Sequence, residues 1–497
     1  MKEFGLFIDG HWEAAEGGKT METVNPATEE PWAKVALASR NDTRKAIAAA
    51  KKSFDSGVWR SKSKDERAGV IDSIAALMME RSEELAAAEA QDGGGTIRKA
   101  RFMDVPGSVG SFMQFAKVLR ESVEEQVFEE TVPVPSKNIV RAEPIGVCAG
   151  IIPWNFPMVM AVWKIAPAIA AGNSVVLKPA SATPVTALMI ADICKQAGVP
   201  DGVVNVVTGP GAQIGEELAT HPDIGKVAFT GSTEVGRRIM QLASGTIKKV
   251  TLELGGKSPN IILDDAELDT AALGALFGTF MHQGQICESG TRVLVPQKLY
   301  DTFIDKMIAG SKRITIGDTM DMTTTMGPLV SASQLKTVSN YVDVGKSEGA
   351  DCVLGGDRPA NMKKGYYFNP TIFARVDNKM KIAQEEIFGP VVAVIPYKTE
   401  AEAVTIANDS MYGLGGAVWS KNKDRALGVA RQIQTGTVWI NDYHMINPRF
   451  PFGGYKQSGL GRELGPWGLS AYQEIKHIHV GESVPPEQKV YFGALFN

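Results

Sequence analysis

Cys287 is the residue most able to do chemistry. It lies in Gln283-Gly284-Gln285-Ile286-Cys287-Glu288-Ser289-Gly290, a polar, glycine-bearing segment after an apolar helix-like run, where a reagent could reach a thiol. A free cysteine is more often a buried hydrophobe, and Cys148 and Cys194, set in apolar runs, are read that way. In Cys287 the same residue type suits nucleophilic catalysis, provided a base and an electrophilic donor stand near it. Glu253 ends the apolar stretch Thr251-Leu252-Glu253-Leu254 just before Gly255-Gly256. A carboxylate in such surroundings has a raised pKa and serves as a general base, unless it pairs with Lys248, Lys249 or Arg462. Asn155 stands between Pro153 and Pro157, and its amide is either a fixed oxyanion donor or a turn residue.

Other segments offer binding groups. Phe229-Thr230-Gly231-Ser232-Thr233 reads as a strand end, a turn and a helix start. Such a place holds anions through backbone N–H groups, although a Ser-capped helix accounts for it equally well. Lys178-Pro179 follows a strand, and Glu385-Glu386-Ile387-Phe388 sets acids beside an aromatic ring. Gly256-Lys257-Ser258 imitates the end of a phosphate-binding P-loop, but position 251 is Thr where glycine is required. There is no HExxH, GxSxG or GxGxxG sequence. His477 and His479 share a strand face without ligand partners in the sequence, so no metal is expected.

The elements that position these residues are α/β in texture. Apolar residues recur at helical steps over Asp42 to Ser56 and Lys64 to Asp92. Short apolar runs then alternate with helix-like segments: Gly146–Ile152, Ser174–Leu177, Val203–Val207, Lys226–Phe229 and Lys249–Leu252. A second series follows at Asn260–Leu263, Arg292–Val295, Asp351–Leu354, Val391–Tyr397 and Thr437–Ile440. Two such series predict two parallel sheets with a cleft between them. Glu124–Arg141, with Pro133 and Pro135, and Tyr472–Val480 read as extended segments suited to subunit contact.

A chain of 497 residues with 44% hydrophobic and 22% charged residues is globular and multi-domain. Its 52 basic and 56 acidic residues leave a net charge of −4, which excludes a strongly basic nucleic-acid binder. The uncharged run from Ile145 to Trp163 is long enough for a bilayer, but Pro153, Asn155 and Pro157 make it a strand, loop and helix start. With an acid at position 3 and no apolar leader, a cytoplasmic location is expected, without membrane or nucleic-acid partners.

Trp154-Asn155-Phe156-Pro157, Lys178-Pro179, Phe229-Thr230-Gly231-Ser232, Glu253-Leu254-Gly255-Gly256-Lys257, Gly284-Gln285-Ile286-Cys287, Glu386-Ile387-Phe388-Gly389-Pro390 and Pro451-Phe452-Gly453-Gly454 together resemble the aldehyde dehydrogenase superfamily, in order and spacing over essentially the whole chain. The resemblance implies a nonacylating, NAD(P)-dependent enzyme. It implies a Rossmann-like cofactor domain (1–122 and 145–255), an α/β catalytic domain (256–458) and a small β oligomerisation element (123–144 and 472–497) of a dimer or tetramer.

It further implies that the Cys287 thiolate attacks the aldehyde, giving a thiohemiacetal held by Asn155 and then a thioester. Glu253 activates the water that hydrolyses the thioester. CoA-acylating relatives typically lack a carboxylate at that position. On the cofactor side it implies Lys178 at the adenosine ribose, Gly231 and Ser232 at the pyrophosphate, Glu386 at the nicotinamide ribose, and Phe388, Trp154 and Ile152 along the path. Ser181 stands where NAD-strict members often carry an acid, so NADP is expected to be tolerated. The substrate tunnel falls to Phe156, Met160, Trp163, Met445, Ile446, Phe450 and Phe452. This apolar, aromatic lining favours an aliphatic or aryl aldehyde. The same aromatics suit a betaine- or amino-aldehyde through cation–π contact, while His444 and Arg449 leave room for a semialdehyde. Glu474 is expected to bridge structurally to Lys249 and Arg462. Gly93-Gly94-Gly95, where the family more often has one Gly and a Lys, is expected to be a mobile link. A noncatalytic homologue and a thiol esterase are the competing classes; the intact Cys287, Glu253, Asn155, Lys178 and Glu386 argue against the first, and the cofactor motifs against the second.

Overall fold

A computed structural model describes residues 1–132 and 134–496; Pro133 and Asn497 lie outside the described residues. An eight-stranded sheet runs in the spatial order Gly459–Leu460, Lys249–Glu253, Ile224–Thr230, Val147–Ile151, Ser174–Lys178, Val204–Val206, Leu6–Ile8, His11–Glu13. The five strands from Lys249–Glu253 to Val204–Val206 are mutually parallel, and the outer ones are antiparallel. Within those five the chain winds outward from Val147–Ile151 in one direction, then returns to Ile224–Thr230 on its other side. That is a topological switch point, and in open parallel sheets ligands bind beyond the carboxyl ends of the strands there.

Alternate side chains bury to opposite faces, as the pleat requires. Val147, Ala149, Ile151 and Val176 pack in the cluster containing Ala46, Ile47 and Ala50 of the helix Arg40–Ser56. Cys148, Val175 and Leu177 pack with the helices Pro157–Ala170 and Val185–Gln196. Truncating a fully buried residue such as Leu177 to Ala costs ~2–5 kcal/mol. Cys148 and Cys194 are core residues, as expected, and burial pushes the Cys148 thiol up to about 12.

A seven-stranded sheet follows: Asp351–Leu354, Thr371–Ala374, Val391–Tyr397, Arg292–Pro296, Pro259–Ile262, Gly415–Trp419, Thr437–Ile440. Only its first pair is antiparallel. The strands Thr371–Ala374 and Gly415–Trp419 are not apparent in the sequence pattern. The first has only four residues, and the second opens on two glycines that read as a turn. The three-residue strands near the N-terminus escaped for a related reason. Leu6–Ile8 has only three residues and lies between Val204–Val206 and the edge strand His11–Glu13, so its pairing, not its local pattern, makes it a strand.

Helix Lys64–Glu80 ends at Arg81, and Ser82–Gly93 begins a second helix within the stretch expected to be one. Gly93-Gly94-Gly95 is not a mobile link. All three residues are buried, Gly94 is left-handed at φ 71°, and a Cβ there would meet Pro26 at 3.0 Å. The segments Glu125–Glu130, Ser136–Pro144 and Gln473–Gly481 form a separate antiparallel sheet. Beyond it, Pro486–Gln488 and Val490–Ala494 are short 3-10 turns rather than extended chain. Among the described residues no helix is long and apolar enough to cross a membrane.

Candidate active site

The carboxyl ends of the first sheet open onto a cavity of about 860 Å³, which segments preceding strands of the second sheet close from the other side. Trp154 and Asn155 follow Val147–Ile151, Gly231 and Ser232 follow Ile224–Thr230, and Glu253 ends Lys249–Glu253. Cys287 precedes Arg292–Pro296, while Glu386 and Phe388 precede Val391–Tyr397. All of these line the one cavity, together with Phe156, Met160, Trp163, Met445, Ile446 and Phe452.

Five expected residues do not line it. Ile152 is buried in the core, with its N–H bonded to the Lys178 carbonyl. Lys178 and Ser181 stand at the carboxyl end of the adjacent strand. Lys178 Nζ donates to the Pro179 carbonyl at 2.8 Å and Ser181 Oγ to the Gly209 carbonyl at 3.0 Å. Burial brings the Lys178 ammonium down to about 8. Phe450 is 55% exposed, because the turn closed by its N–H on the Asn447 carbonyl directs the ring outward. Arg449 is likewise exposed and lies outside the cavity wall.

The turn that delivers Cys287 is strained. After the helix Leu268–Phe280, His282, Gln283 and Gly284 take φ of 49°, 57° and 70° in succession. Left-handed backbone at non-glycine residues persists only when surroundings hold it. Here His282 Nε2 donates to the Asn155 carbonyl at 2.6 Å, Asn155 Nδ2 donates to the Gln285 carbonyl at 2.8 Å, and Gln285 Oε1 accepts from the Val330 N–H at 3.0 Å. The Asn155 amide has two N–H donors and spends only one on Gln285. Its second is available to the cavity.

Glu253 is buried, and its Oε2 has no hydrogen-bond partner. Burial first, and then the charge of Glu463, push its carboxyl well above the usual range. None of the three candidate cations pairs with it. Lys248 Nζ donates to the His221 carbonyl and Arg462 to the Gly454 and Gly461 carbonyls, while Lys249 pairs with Glu474 at 2.9 Å. Glu474 thus meets Lys249 but not Arg462. The Cys287 thiol donates to Glu288 Oε2 at 3.2 Å, and burial holds the thiol well above its ordinary value.

The sequence pattern of the aldehyde dehydrogenase family matches residues 12–478. This chain belongs to that family. It is 44% identical over 477 residues to the betaine aldehyde dehydrogenase of Bacillus subtilis, covering 95% of this chain and 96% of that one. It is 45% identical to an aldehyde dehydrogenase of Emericella nidulans over 478 residues, 96% of this chain and 94% of the other. Among solved structures, an NAD+ complex of aldehyde dehydrogenase from Bacillus cereus superposes with a TM-score of 0.94 at 45% identity, covering 97% of each chain. Betaine aldehyde dehydrogenase from Staphylococcus aureus, in complex with NAD+, superposes with a TM-score of 0.94 at 39% identity over 97% of this chain and 95% of that one.

This aldehyde dehydrogenase also carries site residues that sequence reasoning did not assign. Thr230 lines the cavity with its buried Oγ1 unpartnered. Its place at a strand end was legible; its missing partner was not. Glu288 was visible only as the neighbour of Cys287, and its contact with His444 joins residues 156 apart in the chain. Lys164 and Glu463, which do not line the cavity, form a buried ion pair from a helix interior and a late loop, and their charges act on Glu253.

Proposed function

We propose that this enzyme oxidises aldehydes to carboxylic acids through a covalent intermediate on Cys287, with Glu253 as the base for hydrolysis and Asn155 as the oxyanion donor. The observation that carries the reading is a buried, unpaired Glu253 carboxyl lining the same cavity as Cys287 and the free Asn155 N–H. Attack by the Cys287 thiolate, its proton released to solvent, on the aldehyde carbon places the new oxyanion where Asn155 Nδ2 and the Cys287 backbone N–H can donate to it. The resulting thioester is a good acyl donor, and Glu253, which no cation contacts by hydrogen bond, takes the proton of the attacking water.

NAD is the cofactor this reading assigns, by kinship with the two NAD+ complexes. The residues fit it: the crevice lies at the switch point, the helix Thr233–Ala243 starts there with unspent N–H groups, and Thr230 Oγ1 awaits a partner. Ser232 Oγ caps its own helix by accepting from the Val235 N–H at 3.3 Å, so the binding contribution of that turn falls on its backbone. When bound, NAD accepts the hydride that the thiohemiacetal loses in becoming a thioester. Glu386 and Phe388 would hold its nicotinamide end, with Phe388 set edge-on to Trp154 at 5.1 Å. Lys178 and Ser181 would lie at its adenosine end. NADP is accepted as well, since Ser181 puts no carboxylate against a 2′-phosphate.

The substrate reading is a hydrophobic aldehyde, because Val159, Met160, Trp163, Met281, Phe452 and Leu464 form an apolar wall. A quaternary-ammonium aldehyde is the second reading, favoured by the Trp163–Phe452 ring pair at 5.4 Å and by the Bacillus subtilis relative. The sheet containing Glu125–Glu130 and Gln473–Gly481 exposes Val127, Phe128, Ile475 and Val480, which supports a homo-oligomer built on it. The three-part domain division and a cytosolic location belong to the same reading.

Rapid mixing tests the mechanism. With hexanal, benzaldehyde and betaine aldehyde as substrates, Glu253→Gln is expected to release one equivalent of NADH per site and then stall. Cys287→Ala is expected to release none. Sustained turnover by either variant would sink the assignment, and the best aldehyde decides between the two substrate readings.

A further inference from the structure

Next to the nucleophile lies a buried pair that the mechanism above does not use. Glu288 Oε2 accepts the Cys287 thiol at 3.2 Å, while Glu288 Oε1 meets His444 Nδ1 at 3.1 Å. The other imidazole nitrogen, His444 Nε2, lies 3.1 Å from the Gly278 carbonyl, which can only accept. With Nε2–H spent on that carbonyl, the contact between Nδ1 and Oε1 must contain one further proton, shared by imidazole and carboxylate. Both side chains are nearly fully buried, at 2% and 5% exposure. Tyr443 completes the setting, its hydroxyl donating to the Glu288 carbonyl at 2.8 Å. Among the described residues, no lysine or arginine pairs with Glu288.

We propose that Glu288 is a positioning residue that parks Cys287 as a hydrogen-bonded thiol in the cofactor-free enzyme, and that His444 holds Glu288 in the anionic form able to do so. The proposal rests on the reading of Cys287 as nucleophile. Electrostatics agree with the geometry. Burial alone would raise the Glu288 carboxyl, but the hydrogen bond and charge of His444 bring it below the usual range. The groups facing the Cys287 sulfur are acids, Glu288 foremost and then Glu386 and Glu253, and after burial they hold the thiol up. A buried carboxylate in contact with sulfur disfavours the thiolate, so attack requires the sulfur to leave Glu288 for the open cavity. The cost is a slower nucleophile at rest. The gain is a thiol protected from stray electrophiles and oxidants until cofactor and aldehyde arrive.

The test is the pH dependence of Cys287 alkylation by iodoacetamide in the full-length, cofactor-free enzyme, with the modified residue located by peptide mass spectrometry so that Cys352 is not counted. Glu288→Gln should react about tenfold faster at pH 7, its apparent thiol pKa lowered by about one unit, since one unit is a tenfold change in thiolate fraction. His444→Phe should also react faster at pH 7, because a buried Glu288 that has lost its hydrogen-bond partner protonates. The double variant should match Glu288→Gln alone, as His444 acts through Glu288. Thermal melts establish that each variant is folded, and His444→Phe keeps the question decidable if Glu288→Gln does not fold. An unchanged rate in both single variants overturns the proposal. A slower one overturns it too, making Glu288 the base that strips the thiol. Turnover persisting in Cys287→Ala would instead refute the nucleophile reading and leave the alkylation result standing.

Discussion

Gly255 and Glu386 lie so close that a Cβ built on the glycine would fall 2.3 Å from Glu386 Oε2, and the next backbone N–H, of Gly256, donates to Glu386 Oε1 at 3.1 Å. The crossing between the two large sheets therefore anchors an acid that arrives 130 residues later. Only glycine at position 255 permits that approach. Burial, first among its influences, raises the Glu386 carboxyl to about 7 despite the Gly256 hydrogen bond.

Gly255→Ala should consequently act on cofactor binding rather than on folding. The atom displaced is the tip of a flexible side chain, so the fold is retained. Loss of one charge-assisted hydrogen bond then weakens NAD by about tenfold, or ~1.4 kcal/mol. Tryptophan-fluorescence titration with NAD measures it, and an unchanged affinity would remove Glu386 from the cofactor site.

Activity should climb with pH from neutrality upward. In the proposed mechanism Cys287 acts as a thiolate and Glu253 as a carboxylate, and burial raises both above their ordinary values. Each functional form is the deprotonated one, so acidification removes activity, and the loss begins at higher pH than free Cys or Glu would give. A kcat/KM profile that is flat from pH 6 to 9 contradicts this.

Asn155→Ala removes the cavity-facing donor and the Gln285 bond together. The first loss should reduce kcat by about 10²–10³. The second should cost only ~1 kcal/mol of stability. Steady-state kinetics beside a thermal melt separate the two, and a melt that collapses along with activity would make Asn155 a structural residue.

The NADP reading is decided by comparing kcat/KM for both cofactors. The ratio should stay below a hundredfold in favour of NAD, and Ser181→Glu should widen it by setting a carboxylate against the 2′-phosphate. A wild-type preference above a hundredfold rejects the reading.

Much of the site was legible because short motifs place residues at strand ends, and strand ends of a parallel sheet converge on one edge. Glu253 and Ser232 were named from strand ends, Asn155 from its place between two prolines, Cys287 from a polar segment after a helix-like run, and Glu386 and Phe388 from acids beside an aromatic; all line one cavity. Phe450 failed because adjacency to Phe452 says nothing of which way a turn directs a ring. The pairing of Glu253 with Lys249 failed on distance. They stand at opposite ends of a five-residue strand, roughly 13 Å apart at about 3.3 Å per residue.

The order and type of residues, by themselves, determined the family, the two-sheet plan and the candidates proposed as nucleophile, base and oxyanion donor, since these depend on local pattern and covalent identity. Tertiary structure alone decided which groups go unpaired and which meet. Whether Glu253 is a free base depends on where Lys248, Lys249 and Arg462 spend their protons. Whether Glu288 bears a charge depends on His444, brought to it from 156 residues away by the packing of the second sheet. A buried group takes its proton affinity from neighbours within a few ångströms, and only the folded chain specifies those neighbours.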